Sequence, residues 1–264
     1  MKTMKTCAVL GAAAAITGAA GASSTMYIIE NSTDTLWTVD VAALTATQVG
    51  PLNTSWGFGG IGFAADGTLY GYNTADAGLY TIDTTTGNAT LVGTDTEPFG
   101  IDSFDVDDLN GRGIGLDVSG NIWEINLSTG DATQIATVDG DTAGTGLDFD
   151  CAGTLYELNR NSDIVNSIDP DTGATTNLGG LGLDTGATSV AYNCKDDLLY
   201  FFIDFTTPDL YTVNPGDTAN FLGTVAGLPS DGVQYTCATF DAGGGGPEPC
   251  PEDINGDGVV DVQD

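Results

Sequence analysis

The sequence predicts an all-β fold, a five-bladed β-propeller with four strands in each blade, and three observations support it. A string resembling Leu-Tyr-Thr-Ile-Asp recurs five times with a period of about 43 residues, which indicates a repeat architecture. Each repeat holds four short apolar segments bounded by Gly, Asp, Asn and Thr, which are strand and turn signals. The two ends of the chain carry complementary parts of one repeat. The recurring strings begin at Leu36, Leu79, Ile122, Val165 and Leu210.

Each predicted strand has its own signature. Strand one is an apolar-x-apolar string, and strand two carries a Leu-Tyr pair such as Leu69-Tyr70. Strand three is the recurring string and ends near a Thr-Gly pair such as Thr86-Gly87, while strand four has a second regular apolar position. The strand-one strings are residues 61–63, 104–106, 147–149, 190–192 and 233–235, and the strand-four positions are Val49, Val92, Ile135, Leu178 and Leu222.

The chain ends predict closure of the ring. Residues 26–31 correspond to a strand two that no strand one precedes, and residues 233–240 supply a strand one that no strand two follows. Pairing them completes a fifth blade and removes open sheet edges. We therefore predict a propeller over residues 23–241. The alternative is an open β-solenoid, which does not need complementary half-units at its ends.

One repeat departs from the pattern. Where the Leu69-Tyr70 pair predicts another Leu-Tyr pair, the chain has Arg112-Gly113. We expect the strand to form through Ile114 and Leu116, with a reshaped turn before it.

The N-terminal residues have the features of a secretory signal. Lys2 and Lys5 precede an apolar run from Cys7 to about Ala20 and a small-residue site, so we predict a signal peptide over residues 1–22. The run is short for a bilayer span and rich in Ala and Gly, so membrane insertion is not expected. The predicted location is secreted or at the cell surface, and the predicted state is a monomer.

The composition excludes several functions. The chain has 37 Asp and Glu against 5 Lys and Arg, a formal net charge of -32, which repels phosphate backbones and anionic lipids. Nucleic-acid and membrane-surface binding are therefore excluded. The chain has no His, which excludes Ser-His-Asp and Cys-His catalysis. The acidity itself favours solubility in saline or calcium-rich surroundings, and a specific cation-binding role is the alternative.

Four cysteines remain after removal of the signal peptide, which fits an oxidising compartment. Cys151, Cys194 and Cys237 are one period apart and are expected to lie just after strand one in three successive repeats. A disulfide needs Cα atoms within about 7 Å of each other. Of the three possible pairings, we favour Cys151 with Cys194 and Cys237 with Cys250.

The C-terminal residues predict a calcium loop. A Gly- and Pro-rich linker at residues 242–249 leads into residues 250–264, where oxygen ligands stand at loop positions 1, 3, 5, 7, 9 and 12. A chance run of acidic turn residues is the alternative. The predicted calcium ligands are Asp253, Asn255, Asp257, Val259 through its carbonyl, Asp261 and Asp264.

This segment resembles the first calcium loop of a type I dockerin, with Asp264 at position 12 and Val-Val-Asp-Val around Asp261. The Cys250-Pro251 lead-in resembles the dockerin-type C-terminal segments of secreted planctomycete-like proteins. The resemblance implies calcium binding and a cohesin-like or cell-surface partner. It covers one loop only, so a partial dockerin that binds calcium weakly and does not dock by itself is expected. The repeats resemble, more loosely, secreted propellers with Leu-Tyr-x-Ile-Asp units, whose motif is structural.

Propellers usually bind ligands on the loops of one face and around the axis. We call the loops that join strand four to the next strand one the loop face. There Trp56 and Phe99 would stack on a sugar ring, and carboxylates would accept its hydroxyls. The alternative is that the aromatic residues wedge between blades and the acids cap turns. The candidate ligand-binding residues are Trp56, Phe99, Asp102, Asp141, Asp184 and Asp231.

Two functions are compatible with these features. The first is a non-catalytic binding module, with a polysaccharide or a protein as its ligand, attached outside the cell through the calcium loop. The second is a carbohydrate-active enzyme, a glycoside hydrolase with axial carboxylates as acid and base or nucleophile, where Asp102, Asp105 and Asp148 are the first candidates. Two carboxyl groups about 5 to 10 Å apart in a pocket would favour the enzyme. Carboxylates confined to turns would favour binding.

Overall fold

The computed structural model describes residues 25–95, 100–140, 144–186, 189–203, 207–229 and 235–240. Across these ranges it contains strands and no helix, so no helix there could cross a membrane. The strands are β1 (Thr25–Glu30), β2 (Thr35–Asp40), β3 (Thr45–Pro51), β4 (Gly59–Phe63), β5 (Leu69–Asn73), β6 (Gly78–Ile82), β7 (Ala89–Thr94), β8 (Ile101–Asp107), β9 (Arg112–Asp117), β10 (Asn121–Ile125), β11 (Ala132–Thr137), β12 (Gly144–Phe149), β13 (Leu155–Asn159), β14 (Ile164–Ile168), β15 (Thr175–Gly180), β16 (Ser189–Asn193), β17 (Leu198–Ile203), β18 (Asp209–Val213), β19 (Asn220–Thr224) and β20 (Tyr235–Phe240).

The strands form five antiparallel four-stranded sheets, which confirms the predicted five-bladed propeller. Blade 1 has the order β20-β1-β2-β3, and blades 2 to 5 are β4 to β7, β8 to β11, β12 to β15 and β16 to β19. Blade 1 therefore combines the two ends of the propeller. Met26 lies opposite Phe240 and Ile28 opposite Ala238, so the predicted closure is confirmed.

The first strand of every blade lies at the centre of the ring. The inner strands β4, β8, β12, β16 and β20 are neighbours in that order, and β20 returns to β4. Cα atoms of β12 also lie within 8 Å of β4 and β20 on the far side of the ring. The axis is therefore narrow, and residues of the inner strands face one another across it.

The core consists of apolar clusters between neighbouring blades. Ile61 of blade 2 packs with Ile29 and Leu36 of blade 1. Phe240 of blade 1 packs in the same way with Tyr200 of blade 5. Every blade is thus stabilised by burial of apolar area against two others, which an open solenoid would not provide at its ends.

The second recurring apolar position is a β-bulge in every blade. Leu36 pairs with Gly50 and Trp37 with Gln48, which leaves Val49 as the extra residue of strand four. Bulges twist a strand and interrupt its pairing edge, so the outer edge of each blade is irregular. The bulged residues are Val49, Val92, Ile135, Leu178 and Leu222.

The recurring glycines are contact points between blades. A Cβ at Gly50 would clash with the carbonyl of Thr86, and one at Gly87 would clash with the backbone of Gly50. Gly87 also has a φ of 80°, which favours glycine. Gly93 and Gly130 repeat this contact between blades 2 and 3. The Val-Gly and Thr-Gly strings therefore serve blade packing.

Blade 3, whose repeat has Arg112-Gly113 in place of the Leu-Tyr pair, folds as predicted. Strand β9 forms with Ile114 and Leu116 buried in it, and the turn before it is reshaped. Asp107 pairs with Arg112 in an additional residue pair that the equivalent hairpin of blade 2 lacks. The hairpin of blade 3 is therefore longer, and it places Arg112 beyond the core.

The last inner strand differs from the prediction. The repeat pattern makes Tyr235 the equivalent of Phe149. In the structure Phe240 instead takes the place opposite Met26 that Phe149 takes opposite Leu155 in blade 4. No turn connects β20 to β1, so turn length cannot set the register. Side-chain packing sets it instead, with Phe240 and Met26 buried in one cluster.

One predicted disulfide is confirmed. Cys151 and Cys194 are joined, with 5.9 Å between their Cα atoms, and they link the turns that follow β12 and β16. The expectation of three equivalent cysteines is wrong for Cys237, which lies inside β20 opposite Ile29 because of the register of that strand. Cys250 lies outside the described residues, so its pairing with Cys237 stays a prediction.

Candidate functional site

The structure describes three of the six candidate ligand-binding residues, namely Trp56, Asp102 and Asp184. Phe99, Asp141 and Asp231 lie outside the described residues, and so do the predicted calcium ligands from Asp253 to Asp264. The loop face can therefore be examined at three positions.

Trp56 belongs to the core between blades 1 and 2. It is 4% exposed, and its ring lies 5.6 Å from the ring of Tyr80. Its backbone N–H donates to Asp34 Oδ1 over 2.7 Å, which ties the loop to the preceding blade. This is the wedge between blades that the alternative interpretation describes, and the ring is not displayed at the surface for stacking.

Many acids cap turns, as the alternative interpretation also expected. The aspartate that ends strand three accepts N–H groups two and three residues further on, as Asp83 does from Thr85 and Thr86. The hydrogen bond from the Thr85 hydroxyl holds the pKa of Asp83 below its usual value. Asp184, by contrast, is exposed in the loop between β15 and β16.

Asp102 lies at a β-bulge where β8 begins. Ile101 pairs with Asp117 and Ser103 with Leu116, so Asp102 is the extra residue. Bulges re-aim side chains and are frequent near binding sites. Burial raises the pKa of the half-buried Asp102, and the charge of Arg160 acts in the opposite direction. The charge of the neighbouring Asp117 also raises the pKa of Asp102. Asp102 is therefore a loop-face carboxyl group in an altered environment.

Asp105 and Asp148 form a buried pair beside the axis, which we call the axial pair. Asp105 lies in β8 and Asp148 in β12, and they are 3% and 4% exposed. Asp105 Oδ2 accepts the backbone N–H of Phe149 over 2.7 Å, which links blade 3 to blade 4. The carboxyl groups of Asp105 and Asp148 lie within hydrogen-bonding reach of each other. Burial raises the pKa of Asp105 to about 7 and raises that of Asp148 well above its usual value.

A second cluster, which the sequence did not predict, surrounds Arg112 on the face opposite the loop face. Its Nε lies 3.1 Å from Asp107 Oδ2, and its Nη1 lies 2.9 Å from Glu124 Oε2 and 2.7 Å from Asp171 Oδ1. Asp171 belongs to the turn after β14, so the cluster joins blades 3 and 4. A shallow cavity of about 470 Å³ lies beside it, lined in part by Thr154. The sequence signal was the Arg112-Gly113 departure, but the partners of Arg112 could not be read from it.

Comparisons with known proteins agree with the class of protein that this geometry defines, a repeat propeller. A family model described as a repeat of unknown function (DUF6923) matches residues 3–104. No curated protein matches the chain.

Solved structures show the same fold. A chain in the crystal structure of a nidogen/laminin complex is 14% identical, with a TM-score of 0.57 over 82% of this chain and 81% of that one. A structural genomics protein of unknown function from Bacteroides thetaiotaomicron is 15% identical, with a TM-score of 0.58 over 84% of this chain. The match spans 63% of the Bacteroides chain. At these identities the likeness concerns the fold alone.

Proposed function

We propose that the protein is a secreted, non-catalytic binding module, with its binding surface on the loop face and its attachment through the C-terminal calcium loop. The observation that carries the non-catalytic part of this proposal is the burial of the axial pair. These carboxyl groups contact each other and the next blade, so they serve the structure of the ring.

The same observation argues against a glycoside hydrolase. Such enzymes place two carboxyl groups on either side of the scissile bond, about 5 to 10 Å apart in an open site. Asp105 and Asp148 are too buried to reach a glycosidic bond. Asp102 is half-buried at the loop face, and the charge of Asp117 acts on it. Asp117 accepts hydrogen bonds from Ser119, Asn121 and Trp123, so this second carboxylate caps a turn.

The chemistry of the loop face favours certain ligands. Asp102 and the exposed Asp184 are carboxylates, and the whole chain has a net charge of -32. Carboxylates accept hydrogen bonds from hydroxyl groups, and the negative field repels anions. We therefore propose a neutral polysaccharide as the ligand. A protein partner is compatible with the fold, since a chain of the same fold occurs in a nidogen/laminin complex.

The attachment part of the proposal rests on the spacing of Asp253, Asn255, Asp257, Asp261 and Asp264, which matches a calcium loop. The loop would bind Ca²⁺ through oxygen ligands and would supply part of the surface that a cohesin-like or cell-surface partner recognises, since one loop does not dock by itself.

The test is a glycan-array screen of the mature protein with and without calcium, run beside a reducing-sugar release assay. We expect binding without release, weakened in Asp102→Asn and unchanged in the control Asp83→Asn, whose turn lies on the opposite face. Release of reducing sugar that Asp102→Asn or Asp148→Asn abolishes would establish the enzyme instead. Equal binding by the wild type and Asp102→Asn would remove the loop face from the proposal.

A further inference from the structure

We propose that the axis of the propeller carries a binding site for a divalent, oxygen-preferring cation of the Ca²⁺ type, held by the carboxylates of Asp105 and Asp148. This axial site is distinct from the C-terminal calcium loop and from the loop face. It does not depend on the proposed function.

Charge is one reason for a cation at the axial pair. Asp105 and Asp148 are 3% and 4% exposed, and buried carboxylates require a paired charge or a metal. The charges that act on them are those of other aspartates, Asp108 on Asp105 and Asp105 on Asp148. Arg112 forms its ion pairs with other carboxylates. One divalent cation would neutralise both members of the pair.

The hydrogen-bond donors around the axial pair leave one carboxylate oxygen unsatisfied. Asp105 Oδ2 accepts the N–H of Phe149, and the backbone N–H groups of Tyr192 and Phe149 act on the Asp148 carboxyl group. Asp148 Oδ2 is nevertheless buried without a hydrogen-bonding partner. Two ionised carboxylates cannot satisfy each other, because neither has a proton to donate. A cation would satisfy the oxygen atoms of both groups.

Two buried hydroxyl groups lie on β8 and β16, the inner strands on either side of β12. Ser103 and Ser189 are 1% and 2% exposed, and their Oγ atoms have no hydrogen-bonding partner. Ser103 precedes Asp105 by two residues, so both side chains leave the same face of β8, about 7 Å apart along the strand. Ser189 lies on β16. Partnerless oxygen atoms thus occur on three consecutive inner strands, β8, β12 and β16.

The carboxyl group of Asp105 lies between the inner strands of blades 2 and 4. A Cβ at Gly62 of β4 would clash with Asp105 Oδ1, while Asp105 Oδ2 bonds to Phe149 of β12. The carboxyl group therefore reaches from blade 2 to blade 4. A ligand held there would contact several blades at once.

The oxygen ligands available at the axial pair favour one kind of ion. Within the described ranges, no three His, Cys, Asp or Glu side chains come together as a metal site. Two carboxylates supplemented by hydroxyl, carbonyl or water oxygens suit Ca²⁺, which accepts six to eight oxygen ligands in flexible geometry. The competing occupant is a single proton shared by the two carboxyl groups.

The test uses the mature full-length chain with the C-terminal loop disabled by Asp257→Asn and Asp261→Asn. After treatment with EDTA, this tail variant is dialysed against Ca²⁺ alone, and bound metal is measured per chain. We expect one bound Ca²⁺, and a rise in Tm of roughly 5 °C at saturating calcium. Adding Asp148→Asn should weaken the binding at least tenfold and abolish the rise in Tm.

The amide group that Asp148→Asn introduces can donate a hydrogen bond to Asp105, so that variant is expected to fold, and Asp105→Asn provides an independent version. A tail variant that binds no Ca²⁺ and melts at the same temperature in EDTA and in calcium would overturn the proposal. If the tail variant binds no Ca²⁺ and its Tm depends on pH near neutrality, a proton shared by Asp105 and Asp148 takes the place of the cation.

Discussion

Arg112 and Asp171 form an ion pair between neighbouring blades, with 2.7 Å between Nη1 and Oδ1. The same guanidinium holds Asp107, whose side chain is 4% exposed. Arg112 itself lies on the hairpin of blade 3, and Asp171 lies in a turn of blade 4. One arginine thus compensates three carboxylates at a blade junction of a highly acidic protein.

Replacing Arg112 should therefore destabilise the fold. In Arg112→Met the buried Asp107 loses its charged partner, and we expect a loss of about 2 kcal/mol in the free energy of unfolding, measured by urea denaturation. The control is Arg160→Met, because Arg160 is exposed, and it should change stability by less than about 0.5 kcal/mol. Equal effects of the two substitutions would show that the Arg112 cluster does not stabilise the junction.

Because Gly50 of blade 1 closely contacts the turn at Thr86 in blade 2, adding one methyl group at Gly50 should lower the free energy of unfolding. Gly50→Ala would push a Cβ into the carbonyl of Thr86, which is backbone and cannot rotate away, so we expect a loss of about 2 kcal/mol or more. Gly180→Ala is the matched control, since its Cβ would lie 3.9 Å from the nearest heavy atom, the carbonyl oxygen of Asp163. Thermal unfolding followed by circular dichroism compares them. A Gly50→Ala protein as stable as Gly180→Ala would contradict the contact.

The disulfide between Cys151 and Cys194 should stabilise the junction of blades 4 and 5. It closes a loop with a sequence separation of 43, for which chain entropy suggests about 3 to 4 kcal/mol. The double variant Cys151→Ser, Cys194→Ser should unfold at a correspondingly lower urea concentration. Dithiothreitol should lower the stability of the wild type by more than that of the double variant, in which only the predicted Cys237–Cys250 bond could still be reduced. A reductant effect of equal size on both proteins would point to another cysteine.

Acid should remove the contribution of Asp117. Burial alone would raise the pKa of Asp117, but hydrogen bonds from Asn121, Trp123 and Ser119 outweigh it and hold the pKa below 3.8. Because the folded pKa is lowered, the stabilisation is complete above pH 3.8 and is lost as the pH falls through the folded pKa.

Asp117→Asn isolates this effect. Asn73 and Asn159 hold the equivalent positions in blades 2 and 4, so the variant should fold. Its amide nitrogen would face the donors of Asn121 and Trp123, and we expect a lower Tm at neutral pH. The difference in Tm from the wild type should shrink below about pH 4. A difference that stays constant from neutral pH to the acid limit would mean that the charge of Asp117 contributes nothing.

The regular parts of the structure were predictable from the sequence because they repeat. A period shared by Leu36, Leu79 and Ile122 predicts one blade per unit, and the half-units at the ends predict closure. The sequence does not show that Val49 and its equivalents are bulges. An apolar residue in a strand gives the same sequence pattern whether it is paired with the next strand or is the extra residue of a bulge.

The features that the sequence did not predict depend on contacts between residues that are far apart in the sequence. Turn chemistry does not determine the register of β20, because no turn joins Phe240 to Met26. Asp105 and Asp148 share a position in successive repeats, which suggested a role near the axis, but their mutual contact follows from the narrowness of the ring. The burial of Trp56 depends on the packing of Tyr80, which no local pattern reveals.

The pairing of β1 with β20 has a consequence for orientation. Met26, near the start of β1, lies opposite Phe240, the last residue of β20, on the side of the ring where each inner strand ends. The loops that begin the inner strands are on the other side. A tether continuing from Phe240 would therefore be attached on the face opposite the loop face, and the loop face would point away from the tether.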